Sequence, residues 1–424
     1  MPHFLAAGNK PRKILIYGIN YAPEMTGTGR YTGDIGAYLA KNGFDVGVVT
    51  APPHYPGWHA APPYSALRYS RENRAGVKIL RCPLLLRTDM RGIWRLLAPL
   101  SFAVTSAPVA LWKIITERPG IVLCIEPTLL VAPAALLARL TGARVILHVQ
   151  DLEVDAAFAI GHLKGDWLKT ILLGLEPYLL RRFSSIITIS DHMRKRLIAK
   201  GVEKNRIGLV RNWVDVTKIK PLTGPNAFRA ELGLSDADFV VLYAGNIGAK
   251  QALGVVLDAA RLLTSMAHVH FVFAGDGPEK PHLMQGCADL PRMHFLPPQP
   301  EERLCELLNL ADLHVLPQSR GAADLVLPSK LGGMLASGKP VLATADAGTE
   351  LFEVLSGTAI LVPAGDSSAM AREIGILAAG GWHPALGDGR QLAHAFDREV
   401  SLEKFCALLD EPGSQGTEFG TEAL

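Results

Sequence analysis

The chain has 424 residues, 49% of them hydrophobic and 20% charged, with a net charge of only +3. That excludes a disordered chain and is too long for one ordinary core, so about two domains of roughly 200 residues each are expected. The five cysteines (Cys82, Cys124, Cys287, Cys305, Cys406) lie far apart with no C-x-x-C or His/Cys cluster, which argues against a disulfide framework or a zinc site and fits a reducing compartment.

In chain order, the first eleven residues carry no signal-peptide pattern. A short buried strand is predicted over 13–17, a helix over 31–42 stopped by Gly43, and a second strand over 46–50. A strand-helix-strand unit calls for a parallel sheet. Strands over 78–81, 121–125, 145–149, 186–189 and 207–210 continue the alternation, and 217–225 reads as a linker. Residues 96–112 carry no charge but contain Pro99 and Pro108, and they are short for a bilayer span. A buried helix is the first reading of this segment and an interfacial anchor the second. Charge is uneven: 68–118 holds ten Lys or Arg against three acids, and 181–206 holds eight against two. These basic zones are either solvated helix faces or a surface turned to anionic lipid or a phosphorylated substrate. No aromatic-rich nucleic-acid module accompanies them, so nucleic acid is not an expected partner.

The pattern then restarts. Strands are predicted over 239–244, 269–274, 295–296, 313–316, 341–344 and 360–362, with a helix from about Leu253 and a last helix over 401–409. Two doubly wound Rossmann-like halves facing a cleft is the expected α/β architecture, with ligands at the carboxyl ends of the strands. Residues from 411 onward have the composition of a frayed tail.

Several loops carry candidate chemistry. Gly27-Thr28-Gly29-Arg30-Tyr31-Thr32-Gly33 has the wrong spacing for a dinucleotide fingerprint, and no acid ends the second strand. It is either a phosphate-binding glycine turn, through Gly27 and Gly29, or a plain loop-helix turn. Gly245 to Gln251 follows a strand and precedes a helix, so its glycines would admit a phosphate and Lys250 would add charge. Gly275-Asp276-Gly277-Pro278 holds the equivalent place one strand on. His148, Asp151, Glu153 and Asp155 collect at a first-half strand end, where a general base or a sugar-hydroxyl acceptor could arise. The competing reading is a helix capped by Asp151. Asp236-Ala237-Asp238 is read as a turn and not as a metal motif. In 317–345, Ser329 is expected to cap a helix whose N-terminus, with Lys330, forms an anion site. Leu331, Met334 and Leu335 would form that helix's apolar face and Gly338 would end it.

Taken in order, TGTGRYTGDIGAYLAKNGFDVGVVT, HVQDLEVD, LEPYLLRRFSSIITIS, VRNWVD, YAGNIGAKQ, FAGDGPEK and LPSKLGGMLASGKPVLAT resemble glycosyltransferase family 4, from about Lys13 to Leu409. Within it, NYAPEMTGTGRYTGDI, TAPPHYPGW and RGAADLVLPSKL are most similar to the WcaI-type branch of colanic-acid and related exopolysaccharide enzymes. A more distant likeness is to N-acetyl-L-fucosamine transferases.

The resemblance implies a GT-B fold. An acceptor-binding domain would span 12–216 and a nucleotide-sugar-binding domain 217–392, with a C-terminal helix over 393–411 packing back on the first domain and a tail over 412–424. It implies sugar transfer from a nucleoside diphosphate sugar with retained configuration and no cofactor or metal. Cations and helix N-termini would stabilise the leaving diphosphate. The acceptor would be a lipid-linked saccharide, and the enzyme would work on the inner face of the cytoplasmic membrane. The implied catalytic residues are Asp151, Lys250 and Asp324. Donor contacts fall to Gly27, Gly29, Asn246, Gln251, Gly277, Arg320, Ser329 and Lys330, and acceptor contacts to His148, Glu153 and Asp155. Departures from the family pattern are specific. Its paired Glu positions are Leu325 and Gly333 here, with Asp324 the nearest acid. Its phosphate-loop Arg and Lys are Asn246 and Gln251, and the His that often precedes the first-domain Asp is Gln150. The alternatives are a GT-B UDP-sugar epimerase and a non-catalytic sugar-nucleotide-binding subunit, the latter motivated by the missing Glu pair.

Overall fold

The computed structural model describes residues 12–410, except 25–26, 55–56, 61, 88–93, 127–128, 152–173, 320–326, 382 and 384–385. The expected sites Glu153, Asp155, Arg320 and Asp324 therefore lie outside the described residues. The chain forms two compact units. One runs to Val210 and resumes at Leu402; the other is Arg211–Ser401.

The first unit is built on β1 (Lys13–Tyr17), β2 (Asp45–Thr50), β3 (Ser70–Arg74), β4 (Val77–Arg81), β5 (Ile121–Glu126), β6 (Arg144–Val149), β7 (Ser185–Thr188) and β8 (Ile207–Leu209). Their order is β3-β4-β2-β1-β5-β6-β7-β8, and every neighbouring pair is parallel except β3 with β4. Apart from β3, these strands are apolar runs because helices cover both faces of a parallel sheet. β5 is buried throughout. β3, with the sequence SRENR, is the exception: it is exposed along almost its whole length. Charges on an edge strand block pairing with other chains, and they also hide the strand from an apolar-run reading.

Helix α1 (Thr28–Lys41) follows β1 and ends before Gly43, whose φ of 86° turns the chain out of the helix. Helix α2 (Trp94–Glu117) contains the uncharged segment and runs through both Pro99 and Pro108. Its Phe102, Ala110 and Ile114 are buried, and Tyr17 and Ser106 share a 2.8 Å hydrogen bond beneath it. Leu402 onward also belongs to this unit. Phe405 stands edge-on to His148 with ring centroids 5.0 Å apart, and Arg144 donates to the Leu409 carbonyl. A Cβ on Gly208 would sit 2.6 Å from the end of the Leu408 side chain, so the last helix packs closely over this strand. The last helix is Arg398–Asp410, three residues longer at its start than predicted.

The second unit holds β9 (Phe239–Ala244), β10 (Val269–Ala274), β11 (Met293–Leu296), β12 (Leu313–Leu316), β13 (Val341–Thr344) and β14 (Ile360–Val362). All pair in parallel, in the order β11-β10-β9-β12-β13-β14. Two apolar layers sandwich this sheet. One includes Phe228, Leu335 and Leu355, the other Phe273, Met370 and Ile374. At the start of β9, Asp238 accepts hydrogen bonds from the Ser235 amide and hydroxyl, so the D-x-D stretch is a turn. In each sheet the winding reverses once, between β1 and β5 and between β9 and β12. The loops leaving those four strands flank the positions where doubly wound sheets bind ligands.

Candidate active site

In the second unit the site is built from two interlocked glycine loops. After β9, Gly245 takes φ 145° and its amide donates to Ala274. After β10, Gly275 takes φ 147° and Gly277 φ 153°. A Cβ on Gly275 would lie 1.9 Å from the Gly245 carbonyl oxygen, and one on Gly277 would lie 2.2 Å from that of Ile247. No side chain fits at either place, so Gly277 serves the packing of the two loops. The Ile247 amide donates to Asp276, and the Glu279 amide donates back to Ile247. Gln251 Oε1 accepts from the Gly248 amide at 3.2 Å and closes the loop on itself. Across the switch point, the Ser319 amide donates to the Lys250 carbonyl at 3.0 Å. Asn246 and Lys250 remain exposed.

Lys330 reaches this loop from the other side. Its amine donates to the Tyr243 hydroxyl at 2.7 Å and lies 4.0 Å from that ring's centroid. Tyr243 in turn donates to the Asn246 carbonyl, which fixes the loop to the lysine. Among the described residues no carboxylate pairs with Lys330, and burial pulls its pKa down from 10.5 to about 7. Lys280 adds a second cation whose amine donates to the Gly275 carbonyl at 2.9 Å. Neither Tyr243 nor Lys280 was read as functional. Lys280 is the last residue of the FAGDGPEK run, so a cation following a glycine turn was its available signal; Tyr243 looked like a core strand residue.

Ser329 corrects an expectation. The helix is Leu331–Ala336, only six residues, and Lys330 occupies its N-cap position with no side-chain cap. Ser329 is exposed and does not cap it. An anion placed here would therefore meet the lysine amine and not a long helix's dipole. Leu331, Met334 and Leu335 are buried as the spacing required, and Gly338 ends the helix at φ 73°. Beside the site, Ala252, Gln318, Ser319, Ala364 and Gly365 line a depression of about 370 Å³. Gln318 Oε1 is buried there with no donor among the described residues.

In the first unit the glycine loop has a different task from the one expected. A Cβ on Gly29 would lie 2.3 Å from the Glu24 carboxylate, one on Gly33 2.6 Å from Ala22 and one on Gly36 2.2 Å from the Tyr21 hydroxyl. These glycines share one helical face, where they admit the 21–24 segment. Glu24 is 5% exposed and presses its carboxylate onto the first turn of α1, where a phosphate would be repelled. Gly29 is thus a packing glycine, and Gly27 is an exposed N-cap at φ 64° that only glycine adopts freely.

Glu24 also accepts from the His54 amide at 3.0 Å and from Asn20 Nδ2 at 3.0 Å, and His54 Nδ1 lies 3.5 Å from it. Arg81, with no exposed surface, donates to Glu72 and to the Ala51 and Ala22 carbonyls, tying the loops after β1 and β2 together. This polar cluster at the carboxyl ends of β1, β2 and β4 was not singled out from sequence, although PEMTG and PPHYPGW contain its Glu24 and His54.

Asp151 stands half-buried just past β6, at the same edge. His148 does not reach that edge. It is 1% exposed against Phe405, and burial pushes its pKa down to about 3, so it is a neutral core residue and not an acceptor contact. Gln150 is buried beside it, 3.2 Å from its Nε2. Among the described residues no group of three or more metal-ligating side chains gathers.

Comparison with known proteins agrees with this architecture. The family described as "Glycosyl transferase 4-like domain" matches residues 26–213, and "Glycosyl transferases group 1" matches 238–379. The putative colanic acid biosynthesis glycosyl transferase WcaI of Escherichia coli K12 is 40% identical, across 82% of this chain and 88% of that one. The probable glycosyltransferase WbjE of Pseudomonas aeruginosa is 25% identical, across 67% and 72%. Among solved structures, sucrose-phosphate synthase from Thermosynechococcus elongatus superposes with a TM-score of 0.70 at 16% identity, covering 94% of this chain and 98% of its own. Anabaena Alr3699/HepE, in complex with UDP and glucose, gives 0.66 at 17% identity, covering 94% and 100%.

Proposed function

This chain belongs to glycosyltransferase family 4, with its GT-B fold, and we propose that it moves a sugar from a nucleoside diphosphate sugar to a polyprenyl-diphosphate-linked saccharide. The observation that carries the donor half is Lys330: a desolvated amine that no carboxylate among the described residues pairs with, fixed by Tyr243 against a glycine loop. A diphosphate supplies the charge this lysine lacks, and Lys250 and Lys280 lie on the two loops beside it. Cations and loop amides then take up charge as the diphosphate leaves, with no metal needed and the anomeric configuration retained. Asp151 and Asp324 are the acids proposed to face the reacting sugars, and Arg320 is proposed to contact the donor.

The kinship with WcaI supports exopolysaccharide synthesis of the colanic-acid type, at the inner face of the cytoplasmic membrane, with L-fucose as the first donor sugar to try. The missing Glu pair at Leu325 and Gly333 is read as a branch-specific donor site. The test is incubation of the purified chain with lipid-linked glucose and a panel of nucleotide sugars. Transfer from one donor, reduced on the order of 100-fold in Lys330→Ala, is the expected result. No transfer from any donor, or conversion of donor without acceptor, overturns the proposal.

A further inference from the structure

We propose that the outward face of α2, with the 129–141 segment beside it, is the surface by which the first unit lies in the headgroup layer of an anionic phospholipid bilayer. This deepens the lipid-linked-acceptor reading above and rests on it. By length and composition α2 could cross a membrane: Leu97–Glu117 has a mean hydropathy of 1.4. Yet 44% of its apolar window is buried. Spanning would pull Phe102, Ala110 and Ile114 from the core and break the bond between Ser106 and Tyr17.

The opposite face is left open. Leu100, Val104, Pro108, Trp112 and Ile115 are exposed at steps of four, four, four and three, which makes one stripe along the helix. Val104 is 66% exposed and Ile115 63%. The segment packed against α2 adds Leu130, Leu137 and Leu140, the last 84% exposed. On the far side Tyr69, whose hydroxyl donates to the Thr105 carbonyl, continues the surface to Leu67. Large apolar side chains are normal on a surface when scattered, but a connected field of them marks an interaction site.

Charge identifies the occupant. Exposed Arg68, Arg87, Arg118 and Arg139 border the field. The only acid in α2 is its last residue, Glu117, which is paired with Lys113 at 2.7 Å, and 129–141 contains none. An apolar stripe rimmed by arginines, with a tryptophan on it, fits a negatively charged lipid surface. The orientation fits the chemistry as well. Lys13, which starts β1, donates to the Glu117 carbonyl, and Tyr17, which ends it, bonds Ser106. Helix α2 therefore runs antiparallel to β1, with Leu100 and Val104 toward the strand ends where Glu24 and His54 stand. A lipid-linked acceptor held in the bilayer would present its saccharide at that edge.

The test is vesicle flotation of the full chain with phosphatidylglycerol/phosphatidylethanolamine and, separately, with neutral phosphatidylcholine. Wild type should float with the anionic vesicles and little with the neutral ones. The double variant Val104→Glu/Ile115→Glu, and separately Leu140→Glu, should lower binding at least about 10-fold, because each places a carboxylate in the interface. The double variant should keep its rate on a short-chain, water-soluble acceptor and lose it on the lipid-linked one. Wild type that transfers sugar but does not float sinks the docking surface and leaves the glycosyl-transfer reading standing. Flotation without transfer to either acceptor does the reverse. A wild-type dimer that the double variant splits into monomers, without flotation, would show that a second copy covers this face and would overturn the proposal.

Discussion

Lys330 offers the sharpest test of the donor site. Its pKa in the free protein is about 7, lowered by burial. A bound diphosphate favours the charged amine, so the pKa in the complex lies higher. The sign follows from linkage. Below pH 7 the amine is already charged and affinity is full. Above pH 7 the free protein must take up a proton to bind, and affinity falls tenfold per unit until the pKa of the complex is passed. At pH 8.5 the loss relative to pH 6 is about 30-fold, or about 2 kcal/mol. The diphosphate of a nucleotide sugar stays fully ionised throughout, so the slope belongs to the protein. Titration calorimetry from pH 6 to 8.5, in buffers of different ionisation enthalpy, reads both the slope and the proton taken up. Lys330→Met should bind weakly with a flat profile. Lys330→Arg should flatten the profile because its charge persists. Wild-type affinity independent of pH, or an unchanged slope in Lys330→Arg, refutes the argument.

Three further outcomes follow from the packing. Gly275→Ala should destabilise the second unit by about 3 kcal/mol or more in urea melts, since its Cβ would lie 1.9 Å from the Gly245 oxygen at a φ of 147°; a stable, donor-binding variant would contradict the interlocked loops. Arg81→Met should cost about 3 kcal/mol, because Glu72 and two loop carbonyls lose a fully buried donor, and its acceptor KM should rise before its donor KM does. His148→Leu should retain transfer within about threefold and leave the pH profile between 5 and 8 unchanged, because the wild-type ring is neutral and enclosed; a folded variant that has lost transfer would return His148 to the site.

The strands were legible where burial on both faces leaves no room for polar residues. β1, β9, β10, β12, β13 and β14 begin and end where the apolar runs do. β3 escaped because an edge strand is specified by its hydrogen-bonded neighbour, and SRENR carries no apolar signal at all. Residues 96–112 were ambiguous for another reason. Composition reports how apolar a helix is, not how its apolar residues are divided between core and surface. In α2 both faces are apolar, one packed into the core and one exposed, so composition alone could not choose between the two readings weighed for it.

The site was legible as a set of loops and much less so as a set of roles. Glycines were read as phosphate turns, but a glycine also appears wherever two backbones must touch. Gly275 and Gly277 touch Gly245 and Ile247, and Gly29, Gly33 and Gly36 touch Glu24, Ala22 and Tyr21. Only the partner decides between the two uses, and the partner is distant or unmarked in sequence. At Gly29 it is a carboxylate, which excludes an anion from that place. At Gly245 it is Lys330, from a segment more than eighty residues on, which invites one. Glycines between the first strand of each unit and the residues that follow it thus face opposite charges, Gly29 within α1 and Gly245 directly after β9. That difference follows from which side chain each unit folds onto the glycine.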